Sequence, residues 1–142
     1  MADILNVYTD ASVLDEHNST SIGFLVKKAD GTILAREHDT LDTYLSSGVA
    51  EYAAITRALD YVNSHWEPRH VTVYTDSTSC ARVLSPQYPD SISSERAKPY
   101  ADAAAHLLNL FQSTELHDIQ RHRNPADALA TRPHDPLLTE HQ

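Results

Sequence analysis

The chain has 142 residues, 41% hydrophobic and 22% charged, with one cysteine and a formal net charge of −9. These values fit one globular domain with a sizeable core; they exclude wholesale disorder and a disulfide-stapled scaffold, since Cys80 has no intrachain partner. No basic stretch leads into a long apolar run at the N-terminus and no apolar run reaches membrane length, so a cytoplasmic chain without membrane contact is expected.

Residues 4–10, ILNVYTD, are rich in β-formers and read as a first strand. Two strand-like runs within residues 21–40 flank Asp30-Gly31, a dipeptide that favours a tight hairpin turn. Residues 47–64, SGVAEYAAITRALDYVNS, form the clearest helix, with Ser47 as its N-cap and Pro68 beyond its end. HVTVYTD, 70–76, is the next strand, and STSCARVL, 77–84, a short helix capped by Asp76 or Ser77. A proline- and serine-rich loop over 85–99 leads to a second long helix over 99–112, with Ala101, Ala104, Ala105, Leu108 and Phe111 near one face. TELHDIQ, 114–120, is a last strand. NPADALA opens a last helix, with Asn124 as N-cap and Pro125 at the first helical position. One domain is expected over residues 1–132, followed by a loose tail over 133–142, which carries two prolines and little periodicity.

A strand meander followed by alternating helices and strands predicts an α/β fold built on a mixed sheet. The tetrapeptide Val-Tyr-Thr-Asp occurs twice, at 7–10 and 73–76, and nothing else recurs at that spacing, so the chain is not a repeat array. A helical return between these two strands lets them lie parallel and adjacent. With the hairpin on the far side of the first strand, the strand order reverses between them, and open α/β sheets bind ligands beyond the strand carboxyl ends at such a point. Asp10 and Asp76 then stand side by side. For either alone, a turn or capping role also accounts for an aspartate at a strand end.

Glu51 falls with Ile55, Ala58 and Val62 on the apolar stripe of helix 47–64. A carboxylate there is costly unless a cation meets it, and Arg57 or a distant arginine are the available partners. Asp127 sits in the first turn of the last helix, where the helix dipole alone also accounts for an acid. Four converging carboxylates repel one another, and divalent ions resolve that repulsion; an all-oxygen ligand set suits Mg²⁺ or Mn²⁺.

As an ordered set, VYTDAS, VAEYAAITRAL, VYTDST and NPADALA resemble type 1 ribonuclease H, particularly its compact branch, over about residues 4–131. The resemblance implies a five-stranded sheet of order 3-2-1-4-5. It implies a metal-dependent endoribonuclease, a phosphodiester hydrolase that cleaves the RNA strand of RNA–DNA hybrids with two ions of Mg²⁺ or Mn²⁺. Asp10, Glu51, Asp76 and Asp127 match the family's catalytic, metal-binding acids. Substrate contacts are expected at Ser12, Ser46, Ser47 and Ser77, by the resemblance and by their place beside the acids. Arg121 and Arg123 are candidates for phosphate contact, and His122 is either a proton shuttle or an exposed loop residue. No obligate protein partner is evident.

The chain also departs from the family pattern. VLDEHNST replaces a glycine-rich turn after the first strand, and Ser47-Gly48 replaces the Asn pair before the helix glutamate. The stretch 85–98 has only Arg96 and Lys98 as cations, so the basic handle of larger relatives is missing. Only three lysines stand against 13 aspartates and 7 glutamates, a surface that suits a salt-rich cytoplasm. Three other readings keep the fold: a nuclease for structured RNA or a DNA junction, a non-catalytic nucleic-acid-binding module, and a protein using its acids to hold a structural ion. A proofreading exonuclease is disfavoured, because Ser12 stands where an Asp-x-Glu motif needs its second acid.

Overall fold

The computed structural model describes residues 3–14, 19–41, 45–85 and 95–131; the 133–142 tail and most of the 85–99 loop lie outside them. The strands β1 (Ile4–Leu14), β2 (Ser19–Lys28) and β3 (Ile33–Leu41) come first, and α1 (Ser47–His65) crosses to β4 (His70–Thr75). Then α2 (Thr78–Leu84) and α3 (Lys98–Leu108) precede β5 (Ser113–Asp118), and a 3-10 turn (Arg121–Arg123) leads into α4 (Asp127–Thr131). The five strands make one mixed sheet of order β3-β2-β1-β4-β5, as the sequence predicts. Among the described residues, no helix is long and apolar enough to cross a membrane.

The two Val-Tyr-Thr-Asp segments pair in parallel and in register, Tyr8 with Tyr74 and Thr9 with Thr75. Side chains alternate along each strand, so one face takes Leu5, Val7, Ile22, Phe24, Val71 and Val73 into the core. Against that face lies α1, through Ala54, Ile55, Ala58, Leu59 and Val62, with α3 beside it through Ala101, Ala104 and Leu108. The small alanines let the helices approach closely, and each large aliphatic side chain buried there contributes about 1.5–3 kcal/mol.

The opposite face is covered at one end by α4, which packs on β1, β2 and β3. On that face Tyr8 stacks on Tyr74, ring centroids 4.7 Å apart, Lys27 lies over the Tyr8 ring, and His117 stacks on Tyr74 from β5. Both tyrosines are half-buried.

Gly23 sets how near α4 can come. A Cβ added there would lie 2.5 Å from the Ala130 backbone nitrogen and 2.7 Å from Leu129 Cβ. The Ser21 hydroxyl, one turn of the pleat away, donates to the Ala130 carbonyl. Gly23→Ala is therefore expected to push α4 off the sheet and to destabilise the domain by about 1–3 kcal/mol, the usual scale of overpacking. A lowered urea midpoint at unchanged m-value checks this, and an unchanged midpoint would show that the seat is slack.

Several boundaries differ from expectation. β1 runs past Asp10 to Leu14 because β2 continues to pair with it as far as Ser19, whereas pairing with β4 stops at Thr9–Thr75. The N-cap of α1 is Ser46 rather than Ser47: Ser46 is extended, and its carbonyl accepts the first helical bond, from the Ala50 N–H at 2.8 Å. α3 ends at Leu108, not 112, since the Leu110 and Phe111 amides turn back to the Leu107 and Leu108 carbonyls and deliver Phe111 to the core. β5 accordingly starts one residue early and stops at Asp118. Of the two cap candidates for α2, Ser77 is the one used, its Oγ accepting the Cys80 N–H at 3.2 Å. That leaves Asp76 free for other work.

Candidate metal centre

Asp10 sits where the pairing of β1 changes. Its backbone is opposite Gly23 on β2, and the parallel ladder to β4 ends one residue before it. Asp76 follows directly after β4, so the two carboxylates emerge together at the top of the central strands. Glu51 projects from the first turns of α1, on the buried stripe predicted for it, and the Thr75 hydroxyl lies 3.5 Å from its Oε2. One carboxylate oxygen from each of Asp10, Glu51 and Asp76 lies within 4.8 Å of the other two. The sequence placed these three acids together, and the fold does so.

Asp127, the fourth acid predicted, is the first residue of α4 and is not one of that trio. Its carboxyl acts on Asp10 from the side of α4. The element is held there by Asn124, a buried side chain whose amide donates to the Thr9 carbonyl at 2.9 Å. The Asn124 Oδ1 also accepts the Ala126 N–H, so it caps the turn as expected, although residues 125–126 form a tight turn and the α-helix begins at Asp127. The reach from Asn124 to β1 is invisible in a sequence, since the two residues are distant along the chain.

The electrostatics are severe. Asp10 is fully buried, and neither carboxylate oxygen has a well-formed hydrogen bond; the Ala11 N–H and the Arg121 charge offset the loss of water only in part. Burial, then the Asp127 carboxyl and the Asp76 charge, push Asp10 up to about 8. Burial, then the charges of Asp10 and Asp76, push Glu51 up to about 9. A buried carboxylate left without hydrogen bonds costs several kcal/mol unless it is protonated or coordinated. The unsatisfied oxygens of Asp10, gathered with the carboxylates of Glu51 and Asp76, make the donor set of an oxygen-preferring divalent ion, and these residues fit one.

The cation that bears on Glu51 is a distant one, Arg121, and its charge offsets only a small part of the burial and crowding. Arg57 instead pairs with Asp39 at 2.9 Å, on an exposed patch. Arg121 donates from Nε to Asp76 Oδ2 at 2.9 Å, and its charge bears on Asp10, Glu51 and Asp127 as well. Arg121, His122 and Arg123 form the 3-10 turn after β5, all three exposed.

A cleft of about 420 Å³ opens beside the acids, lined by Ser47, Gly48, Glu51, Asp76, Ser77 and Arg121 among others. Ser47 and Ser77 are thus brought to the acids. Ser46 is exposed at the foot of α1, and Ser12 lies half-buried on β1 beyond Asp10, pairing with Ser21; neither lines the cleft. Asp118 and Gln120 do line it, and the sequence reading missed them. Their signal was weak, as both were assigned only to a strand end. Asp118 accepts from the Thr78 hydroxyl at 3.2 Å and so joins β5 to the start of α2. Cys80, buried under the same lip, has its thiol pushed up to about 11 by burial and is inert at neutral pH.

The fold and part of the sequence match known proteins. RNase H1 from the halophilic archaeon Halobacterium salinarum superposes with a TM-score of 0.82 at 22% identity, over 91% of this chain and 96% of that one. The N-terminal RNase H domain of a Mycobacterium tuberculosis protein gives 0.84 at 20% identity, over 99% and 100%. LC11-RNase H1, isolated from compost and solved in complex with an RNA/DNA hybrid, gives 0.78 at 22%, over 88% and 92%. No curated protein matches the chain. The family model described as reverse transcriptase-like matches residues 8–133, which include all four acids. The chain belongs to that reverse transcriptase-like family, and its fold is that of a type 1 ribonuclease H.

Proposed function

We propose that this protein is a metal-dependent endoribonuclease that hydrolyses the RNA strand of RNA–DNA hybrids. The observation that carries the reading is Asp10: a fully buried acid, without a well-formed hydrogen bond, whose carboxylate meets those of Glu51 and Asp76 within 4.8 Å. Such a group is tolerated where a ligand completes it. The likeness to a fold solved with an RNA/DNA hybrid bound supports the substrate class.

Asp10, Glu51 and Asp76, with Asp127 from α4, would hold Mg²⁺ or Mn²⁺. Such ions would supply an activated water and would stabilise the leaving oxygen in phosphodiester hydrolysis. The chain contributes the rest. Asn124 fixes the Asp127 helix to β1, and Thr75 steadies Glu51. Ser47 and Ser77 stand at the cleft with hydroxyls that can pair with a ribose 2′-OH, the group that separates RNA from DNA. The free N–H groups at the first turn of α1 offer a neutral phosphate seat.

Among the described residues Arg121 is the one cation lining the cleft, so few counterions are expected to leave on binding. Affinity for hybrid is expected to fall gently with monovalent salt at constant Mg²⁺, since each neutralised phosphate adds about 0.9 to the log–log slope for duplex DNA. A slope steeper than about three would reveal a basic surface elsewhere.

A gel assay on hybrid labelled in the RNA strand tests the function directly. Internal cleavage with Mg²⁺ or Mn²⁺, none with EDTA, and none on RNA–RNA or DNA–DNA duplexes is the expected pattern. Equal cleavage of another duplex would move the substrate to structured RNA or DNA, and inertness in every lane would leave a binding module.

A further inference from the structure

The geometry points to Arg121 as a built-in competitor for the metal: in the metal-free protein its guanidinium holds Asp76, and it must yield that carboxylate when a divalent ion is bound. This rests on the metal-dependent reading above.

Three observations carry it. First, the ion pair is lopsided. The Asp76 side chain is 8% exposed, whereas the Arg121 side chain is 62% exposed, so the arginine can swing into water at little cost while the carboxylate stays. Second, the arginine neutralises the cluster only in part. Its Nε bonds one oxygen of Asp76, and both oxygens of Asp10 remain without a well-formed partner deeper in the site. A monovalent fork on the rim cannot coordinate the buried pair, but a divalent ion can reach all three acids at once. Third, only the side chain is loose. The Arg121 carbonyl accepts the Asn124 N–H at 3.0 Å, and Asn124 is bound in turn to the Thr9 carbonyl, so the residue's backbone is tied to the strand that carries Asp10.

From that anchor the guanidinium lies beside Asp76 in one state and over the cleft mouth in the other. Arg121 is thus a positioning residue for the acids before loading and becomes available to a substrate phosphate afterwards. Its positive charge also opposes a cation already in place, so both effects act in the same direction on metal affinity.

The test uses the intact protein. Mn²⁺ binding is followed by isothermal titration and by the electron paramagnetic resonance signal of free Mn²⁺, for wild type, Arg121→Gln and Arg121→Lys at one fixed pH. Melting temperatures are taken in EDTA and in saturating Mn²⁺. Arg121→Gln is expected to bind Mn²⁺ about three- to tenfold more tightly, to melt lower than wild type in EDTA and to melt equally in Mn²⁺. Arg121→Lys, which keeps the charge, is expected to stay close to wild type in affinity. Unchanged or weaker Mn²⁺ binding by Arg121→Gln, with both melting temperatures lowered together, would overturn the proposal and leave a structural arginine. Failure of wild type itself to bind Mn²⁺ would instead overturn the metal reading and this inference with it.

Discussion

Asp10→Asn is expected to abolish metal-dependent cleavage, by roughly a thousandfold or more, the loss that follows when several kcal/mol of transition-state charge stabilisation disappears. The amide keeps the size of the side chain and offers one neutral oxygen, so the fold survives and the affinity for divalent ions collapses. The metal-free protein is expected to gain stability at the same time, because one of a set of repelling carboxylates is gone. That gain depends on pH. Near pH 7 Asp10 carries a proton, since burial, Asp127 and Asp76 hold it at about 8, and the substitution then changes little. Above pH 8 the wild-type acid ionises inside the protein and the difference opens. Wild-type turnover by Asp10→Asn would remove Asp10 from the assignment, whatever the melting data show.

The second large effect is on stability against pH. Asp10 and Glu51 are held at about 8 and about 9, well above the roughly 4 of the same groups in an unfolded chain. Between those limits the native state binds more protons than the unfolded state, so stability contributed by these groups falls as pH rises, fully present below about pH 4 and lost above about pH 9. Solvent relaxation around a site at a cleft lessens the full shift. In EDTA the melting temperature is expected to drop by about 5–10 °C from pH 6 to pH 9, a loss on the order of 2–3 kcal/mol. Saturating Mg²⁺ is expected to reverse the trend, since an ion held by the ionised acids would take over their stabilisation as their protons leave. Asp10→Asn is expected to show a shallower fall in EDTA and little protection by Mg²⁺. Parallel curves for the two proteins would mean that other groups govern the pH response.

Much of this arrangement is legible in the chain itself, for physical reasons. The Tyr-x-Asp pairs of β1 and β4 fix a register, because a slip by one residue would turn Val7 and Val73 out of the core. Glu51 announces itself by lying on an apolar stripe. Local energies decide less firmly where elements end: Ser46 and Ser47 are near-equivalent caps, and β1 outruns Asp10 only because β2 is there to pair with it. The contacts that hold the site together are longer-ranged still. Asn124 on Thr9, Arg121 on Asp76 and the Gly23 seat of α4 join residues far apart in sequence, with no periodicity to reveal them. A glycine in β2 reads as a weakness of the strand until the helix that needs its missing Cβ is in view.

The seat at Gly23 also sets an order of events in folding. α4 follows every strand in the chain, and it can land only on a surface that β1 and β2 have already made by pairing. Joining the two ends of the chain costs more closure entropy than zipping the local meander, so the meander and α1 come together first and the last helix docks late. A nascent chain can therefore assemble most of its core before Asp127 approaches Asp10 and the crowding of carboxylates is complete. An alanine at Gly23 would then leave the folding rate near that of the wild type and express its cost as faster unfolding, the signature of a contact absent from the transition state. On that order, the fourth acid, Asp127, reaches the other three with the last element to dock.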